Sequence, residues 1–303
     1  MRVGAAPAAL ILLVAASAFG QGPTFAPGAS AGLVPPPGMR PSSRFAGFED
    51  PARAASITLT EFPAAAFRPM IHGLTAEALA SRGLRLVSRE TIRVAGQEAV
   101  LISAEQGGAP LYMLFAHSPE VTVLATGRAG TGSQDALRTA MLTLVIRPPP
   151  SLAEQVAALP FHLPELAGFR ALRTFGGNTV VLTRGEGDPA TNPAQPLFSI
   201  GHSVGRAPPS AEMEAFARQA LAGAPGLTEL SVMRRGPVTL GGSEWFEIEA
   251  EGDSRGARPQ RILAWQAIRP EGAGYVRAVL LVPAAGAAPV LAEARRVIAA
   301  LRG

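Results

Sequence analysis

The residues best suited to recognition or catalysis lie between Trp245 and Arg277. The run from Trp245 to Glu251 alternates, so a strand puts Phe246, Ile248 and Ala250 on one face and Trp245, Glu247, Glu249 and Glu251 on the other. In the run from Arg261 to Arg269 the same rule groups Arg261, Leu263, Trp265 and Arg269, and Arg277 follows on the next strand. If the two faces coincide, Trp245, Glu247, Glu249, Arg261, Trp265 and Arg269 form a binding patch, because Trp and Arg dominate the energetic anchors of interfaces. The favoured alternative is structural. A half-solvated antiparallel sheet would pair its Glu and Arg residues across strands and pack the tryptophans under a helix or against another part of the chain.

Catalytic patterns are weak. Glu247 and Glu249 would stand about 7 Å apart at the strand rise, within the range of an inverting glycosidase. Both project the same way from one strand, however, whereas that chemistry needs carboxyls on either side of a bond. His72, His117, His162 and His202 are scattered without metal-ligand spacing. The loop from Gly127 to Ser133, GRAGTGS, has the outer glycines of a phosphate-binding loop, but Ser133 stands where the lysine belongs. It reads as a helix-capping turn. Gly-x-Ser-x-Gly occurs twice, at Gly28–Gly32 in the small-residue stretch and at Gly201–Gly205 at the end of the strand read over Pro196 to Val204, so neither reads as a sharp strand-turn-helix elbow. The expectation is a protein without a catalytic site, metal or cofactor.

The 303 residues suit about two domains, and 48% hydrophobic against 17% charged residues is a globular composition. The isoelectric point of about 10.7 suggests nucleic acid only superficially. All 27 basic residues are Arg against 23 acids, and no run of Arg exceeds a pair. A small excess of a base that never deprotonates raises the isoelectric point, so a nucleic-acid partner is not expected. Arg2, the apolar run Ala8 to Ala18 and small residues before Gln21 read as a signal peptide over 1–20, too short to span a bilayer. The expected address is periplasmic or secreted, with no membrane span after its removal. The chain has no Cys, so it has neither crosslinks nor thiolate chemistry.

The positioning elements come in two sets. Residues 21–32 read as a flexible N-terminus rich in small residues and proline. A linker at 147–160 opens with three prolines, and Ser151 with Glu154 makes a capping box for a short helix. The flanking stretches, 33–146 and 161–303, match in order. Val34 to Arg40 lies over Leu163 to Arg170, and Phe45 to Gly47 lies over Phe175 to Gly177 at a shift of 130. Val94 to Gln106 lies over Leu240 to Gly252 at 146, and Pro119-Glu120 over Pro270-Glu271 at 151. A shift that only grows is what a duplicated domain shows after loop insertions in one copy.

Each half reads as a hairpin, a strand, a helix, three or four strands and a closing helix. Gly176, Gly177 and Asn178 supply the hairpin turn, and Ala55 to Phe62 and Pro196 to Val204 the next strands. Thr75 and Ser210 open the middle helices, with Met213, Phe216, Ala217, Ala220 and Leu221 as the inward face of the second. Ser133 caps a closing helix carrying Leu137, Ala140, Met141 and Leu144, and Pro289 starts one carrying Leu291, Ala294, Val297 and Ile298. This is an α+β class: two tandem antiparallel-sheet sandwich domains in a pseudo-twofold repeat.

That order of elements, with LVPPPGMRPSSRFAGFEDP from Leu33 and VAGQEAVLISAEQ from Val94, resembles the PsbP-like α-β-α sandwich. The family includes the extrinsic photosystem proteins and a Ran-binding regulator, and it also resembles secreted bacterial proteins of the same fold. The resemblance implies a binding or accessory role and carries over no functional residue. The expected function is that of an exported, non-catalytic envelope protein that binds an unknown protein or small ligand. The alternative is a periplasmic hydrolase with its site in the cleft between the two domains.

Overall fold

The computed structural model describes residues 22–128, 130, 132–189, 192, 194–203, 205–224, 227–255, 259–272 and 274–303. The expected signal peptide at 1–20 and two residues of the GRAGTGS loop, Ala129 and Thr131, lie outside them.

In chain order the first half contains β1 (Thr24–Phe25), β2 (Ala31–Leu33), β3 (Arg40–Pro41), β4 (Gly47–Asp50), β5 (Ala55–Pro63), α1 (Phe67–His72), α2 (Ala76–Ala80) and β6 (Leu84–Val94). It continues through β7 (Gln97–Gln106), β8 (Ala109–His117), β9 (Val121–Arg128), α3 (Gln134–Leu142) and β10 (Val145–Ile146). After α4 (Leu152–Ala157) come β11 (Arg170–Phe175), β12 (Thr179–Thr183), β13 (Leu197–Ser203), α5 (Met213–Ala222), β14 (Leu227–Leu240), β15 (Ser243–Ser254), β16 (Arg261–Glu271), β17 (Gly274–Pro283) and α6 (Ala287–Ala300).

Antiparallel pairing joins fourteen of these strands into two seven-stranded sheets, and β1, β2 and β10 into a small third one. One large sheet runs β3-β4-β5-β9-β8-β7-β6 and the other β11-β12-β13-β17-β16-β15-β14, so the chain visits the seven positions in the same sequence both times. Each large sheet carries helices on both faces. Phe67, Ile71 and Leu79 of α1 and α2 pack on Val100, Ile102 and Met113, while Leu137, Ala140 and Met141 of α3 cover Ala99, Leu101 and Leu114 on the reverse. In the second half α5 covers Ile248, Ala250 and Ile268, and α6 covers Trp245, Trp265 and Ala278. A strand sandwiched in this way buries both sets of side chains. That is why the central strand β16 is buried at seven successive positions, Ile262 to Ile268, and is not half-solvated as alternation alone suggested.

The long outer strands are built differently. On β6 half-buried and exposed residues alternate, with Arg85, Arg89 and Arg93 on the exposed row. Strand β14 is interrupted by two register shifts and contains Arg234, Arg235 and Pro237. Charge, bulges and a residue without an N–H are features that suit a strand with one free edge.

The caps follow the sequence in part. Ser151 and Glu154 form the full capping box of α4, and Thr75 Oγ1 accepts the Ala78 N–H at the start of α2. Ser133 precedes α3, but its hydroxyl donates to the Gly130 carbonyl (3.0 Å) and caps no N–H. Ser210 opens a 3-10 turn, and α5 begins only at Met213. Residues 21–32 differ from expectation more strongly. β2 pairs with both β1 and β10, Ala26, Ala29 and Ala31 are buried, and Glu61 accepts the N–H groups of Ser30 (2.6 Å) and Ala31 (3.2 Å). Arg147 donates to the Ala29 carbonyl and lies over the Phe25 ring. The small residues that looked flexible fill a narrow space against the first sheet.

The two halves touch through backbone. The Ala46 N–H donates to the Gly176 carbonyl at 2.8 Å, and a Cβ on Gly177 would stand 2.7 Å from Ala46 Cβ. Gly177 (φ +64°) therefore serves both the hairpin turn and this close approach.

Candidate functional site

The register of β15 and β16 decides the fate of the Trp/Glu/Arg group. Glu249 stands opposite Trp265, Glu247 opposite Ala267 and Asp253 opposite Arg261. Trp245, Glu247, Glu249, Trp265 and Arg269 therefore share one face, and that face lies beneath α6. Trp245, Trp265 and Glu247 are 1%, 0% and 1% exposed, so they do not form the open surface that an interface anchor requires. Arg261 stands apart at the far end of β16, paired with Glu251 (3.0 Å) and Asp253 (3.7 Å). Arg277 is a further correction. It pairs with Ile268 and Gly201 and emerges on the opposite face, under α5.

What α6 covers is a charge cluster. Glu247 Oε2 accepts from Trp265 Nε1 at 3.1 Å and from Arg295 Nη2 at 3.0 Å, and Arg295 also bonds Glu249. From the outer strand Arg234 reaches Glu247 Oε1 at 3.2 Å as a charge contact outside hydrogen-bond geometry, and lies 3.8 Å from Glu249. Arg269 sits 4.9 Å from the Trp245 ring centre and bonds Glu271 (2.9 Å). Two carboxylates are thus balanced by two guanidiniums. The same face of β7 in the first half carries Leu101 and Ser103 and is covered by α3. The cluster replaces an apolar contact with a polar one. Its carboxylates are occupied by Arg and Trp and stand on one strand, and the pairing with Arg295 orients α6.

The histidines lie apart. His72 ends α1, the His117 ring packs on Phe67 at 4.2 Å, and His162 exchanges backbone hydrogen bonds with Arg302 near the C-terminus. His202 lies on β13, where burial holds its pKa below the usual histidine value despite the nearby Glu271. Among the described residues no group of three or more His, Asp or Glu is placed to hold a metal ion.

An open concavity lies where the sequence suggested only a linker. α4 and the segment that follows it border an apolar groove of about 680 Å³, lined by Leu152, Val156, Leu159, Phe161, Leu163 and Ala171 among others. Its position is fixed by specific bonds. The capping box starts the helix, Gln155 donates to the Pro150 carbonyl (2.7 Å) and accepts from Thr174 Oγ1 of β11 (2.6 Å), and Leu159 and Phe161 sink into the second core. The sequence signal was the spacing of Leu152, Val156 and Leu159, an apolar stripe on one helix face.

No family model matches the chain, and no curated protein does. Among solved structures it is similar to the apo form of the T6SS immunity protein TplEi from Pseudomonas aeruginosa, at 13% identity over 93% of this chain and 97% of that one, with a TM-score of 0.33. The same protein complexed with "L" peptide gives 13% identity, coverages of 93% and 98% and a TM-score of 0.31. DynU16, from the dynemicin biosynthetic locus, gives 11% identity, coverages of 80% and 94% and a TM-score of 0.18.

Proposed function

We propose that the protein is an exported, non-catalytic binding protein of the bacterial envelope, made of two tandem PsbP-like units, and that it seats an apolar segment of a partner along α4. The observation that carries this reading is the α4 groove. Open and almost wholly apolar, it is held in place by hydrogen bonds to Pro150 and Thr174, so a guest need not order it first. The matching strand order of the two sheets supports the two-unit reading. The use of Glu247, Glu249 and Arg295 in mutual pairing supports a role without catalysis.

The test is recovery of partners from envelope extract by the mature protein and by Val156→Asp, which puts a charge in the groove at a half-buried position. Loss of the same bound protein from the variant, with an unchanged melting temperature, is expected. Equal recovery by both overturns the assignment of the groove, and turnover in a hydrolase screen that one point substitution abolishes overturns the non-catalytic reading.

A further inference from the structure

On the α5 face of the second sheet, β12, β13 and β17 border a second concavity of about 300 Å³ that is unlike the α4 groove. Its walls include Asn178, Thr179, Ser199, Ser203, Tyr275 and Arg277, and no Asp or Glu lines it among the described residues. The guanidinium of Arg277 is held by two bonds: Nε donates to Gln266 Oε1 (2.7 Å) and Nη2 to the Ala220 carbonyl in the last turn of α5 (2.8 Å). Gln266 is fully buried and donates in turn to the Ala217 carbonyl (2.8 Å). Arg277 is therefore fixed, but it is not neutralised. Among the described residues no carboxylate comes within 4.0 Å of it, and Nη1 has no partner. Burial pushes its pKa down, opposed by the nearby Tyr275.

Arg277 is half-buried, and a braced, unpaired guanidinium beside an opening offers an anion a place to bind from outside. The opening is made by Gly201, which stands opposite Arg277 on β13 and brings no side chain. A Cβ there would meet Thr179 Oγ1 at 2.5 Å. On the same face of the first sheet the β5–β9 pair sets Thr60 opposite Leu124, and Leu124 packs into the apolar layer. The first sheet also has a concavity of about 280 Å³ beside Leu124, but its lining is mainly apolar with Arg82 from the α2–β6 loop, so a cation on the strand itself at this position belongs to the second sheet.

We propose that this groove binds a small polar monocarboxylate of the hydroxy-acid class, its carboxylate on Arg277 and its hydroxyl among Thr179, Ser199 and Ser203. One cation matches one negative charge. The neighbouring helix end is the C-terminal turn of α5, whose carbonyls repel further negative charge, so a phosphate dianion is disfavoured. With no acid among the described lining residues, an ammonium group would find no counter-charge, which favours hydroxy acids over amino acids. The site lies on the other side of the sheet from the α4 groove, and neither proposal depends on the other.

The experiment is a titration of the mature protein with L-lactate, followed by NMR or calorimetry at constant ionic strength, with chloride, inorganic phosphate and glycine in parallel. Saturable lactate binding is expected, weakened at least tenfold in Arg277→Gln. Because that variant disturbs the Gln266 brace, Ser199→Leu is measured beside it: it fills the groove from half-buried Ser199 and leaves the brace intact. It too should lose binding while keeping its melting temperature. Absence of saturable lactate binding, wild-type affinity in folded Ser199→Leu, or binding of phosphate or glycine tighter than that of lactate overturns the proposal.

Discussion

Glu247 of β15 and Arg295 of α6 meet at 3.0 Å beneath the closing helix, and Glu247 is almost wholly shielded from water. Removing one member of such a pair strands the other charge. Glu247→Leu or Arg295→Met alone should cost about 3–5 kcal/mol of stability. The double variant should cost clearly less than the sum, because Arg234 and Glu249 still face each other and Leu is what the first half carries at the matching position, Leu101. Urea unfolding of the three variants measures this. Strict additivity would show that the two residues do not act as a pair.

Gly176 and Gly177 both adopt left-handed backbone, but only at Gly177 would an added Cβ meet the other half of the chain. Gly176→Ala should cost about 1–2 kcal/mol for the left-handed conformation. Gly177→Ala adds a contact 2.8 Å from the Ala46 nitrogen, which donates to Gly176, and should cost at least about 1 kcal/mol more as that bond is lost. Thermal unfolding compares them. Equal losses would mean that the contact between the halves yields freely.

Glu49 supplies the pH dependence. Burial raises its pKa, but hydrogen bonds from Arg44 (2.5 Å) and Ser42 (2.9 Å), with the Arg44 charge, outweigh it and hold the carboxyl below the usual glutamate range. A depressed folded pKa means stability that is fully present above the unfolded value and lost as pH falls through the folded one. Stability should therefore decline below about pH 4.5, and Glu49→Gln should flatten that decline while lowering stability at pH 7. Chemical unfolding at several pH values measures both, and an unchanged slope in Glu49→Gln would remove the assignment.

Elements with strong local signals were legible in the sequence. The Ser151–Glu154 box, the Gly176–Asn178 turn and the stripe Leu291, Ala294, Val297, Ile298 depend on neighbours in the chain, and each stands where its pattern placed it. What was not legible depended on fit or on register. Ala26, Ala29 and Ala31 bury little area each, so composition marked their segment as loose although it is packed and hydrogen-bonded. Helix α1 was hidden by Pro69, which sits in the first turn, where a missing N–H does no harm. Period two placed Trp245, Glu247 and Trp265 on one face correctly but did not show that the face was covered. Arg234 and Arg295, which neutralise that face, come from a bulged strand and a helix whose register no local rule supplies.

The design of β6 and β14 also limits how this molecule can meet others. A peptide that joins a sheet as an extra strand needs a run of unpaired backbone N–H and C=O groups. β14 breaks that run with Pro237 and two register shifts, and β6 lines it with Arg85, Arg89 and Arg93. At the opposite ends of the two sheets stand β3, only two residues long, and β11, packed against α4. Strand addition is thereby discouraged at all four margins, both for foreign peptides and for copies of the chain itself. Contacts with other molecules are then left to the helical layers and the grooves beside them.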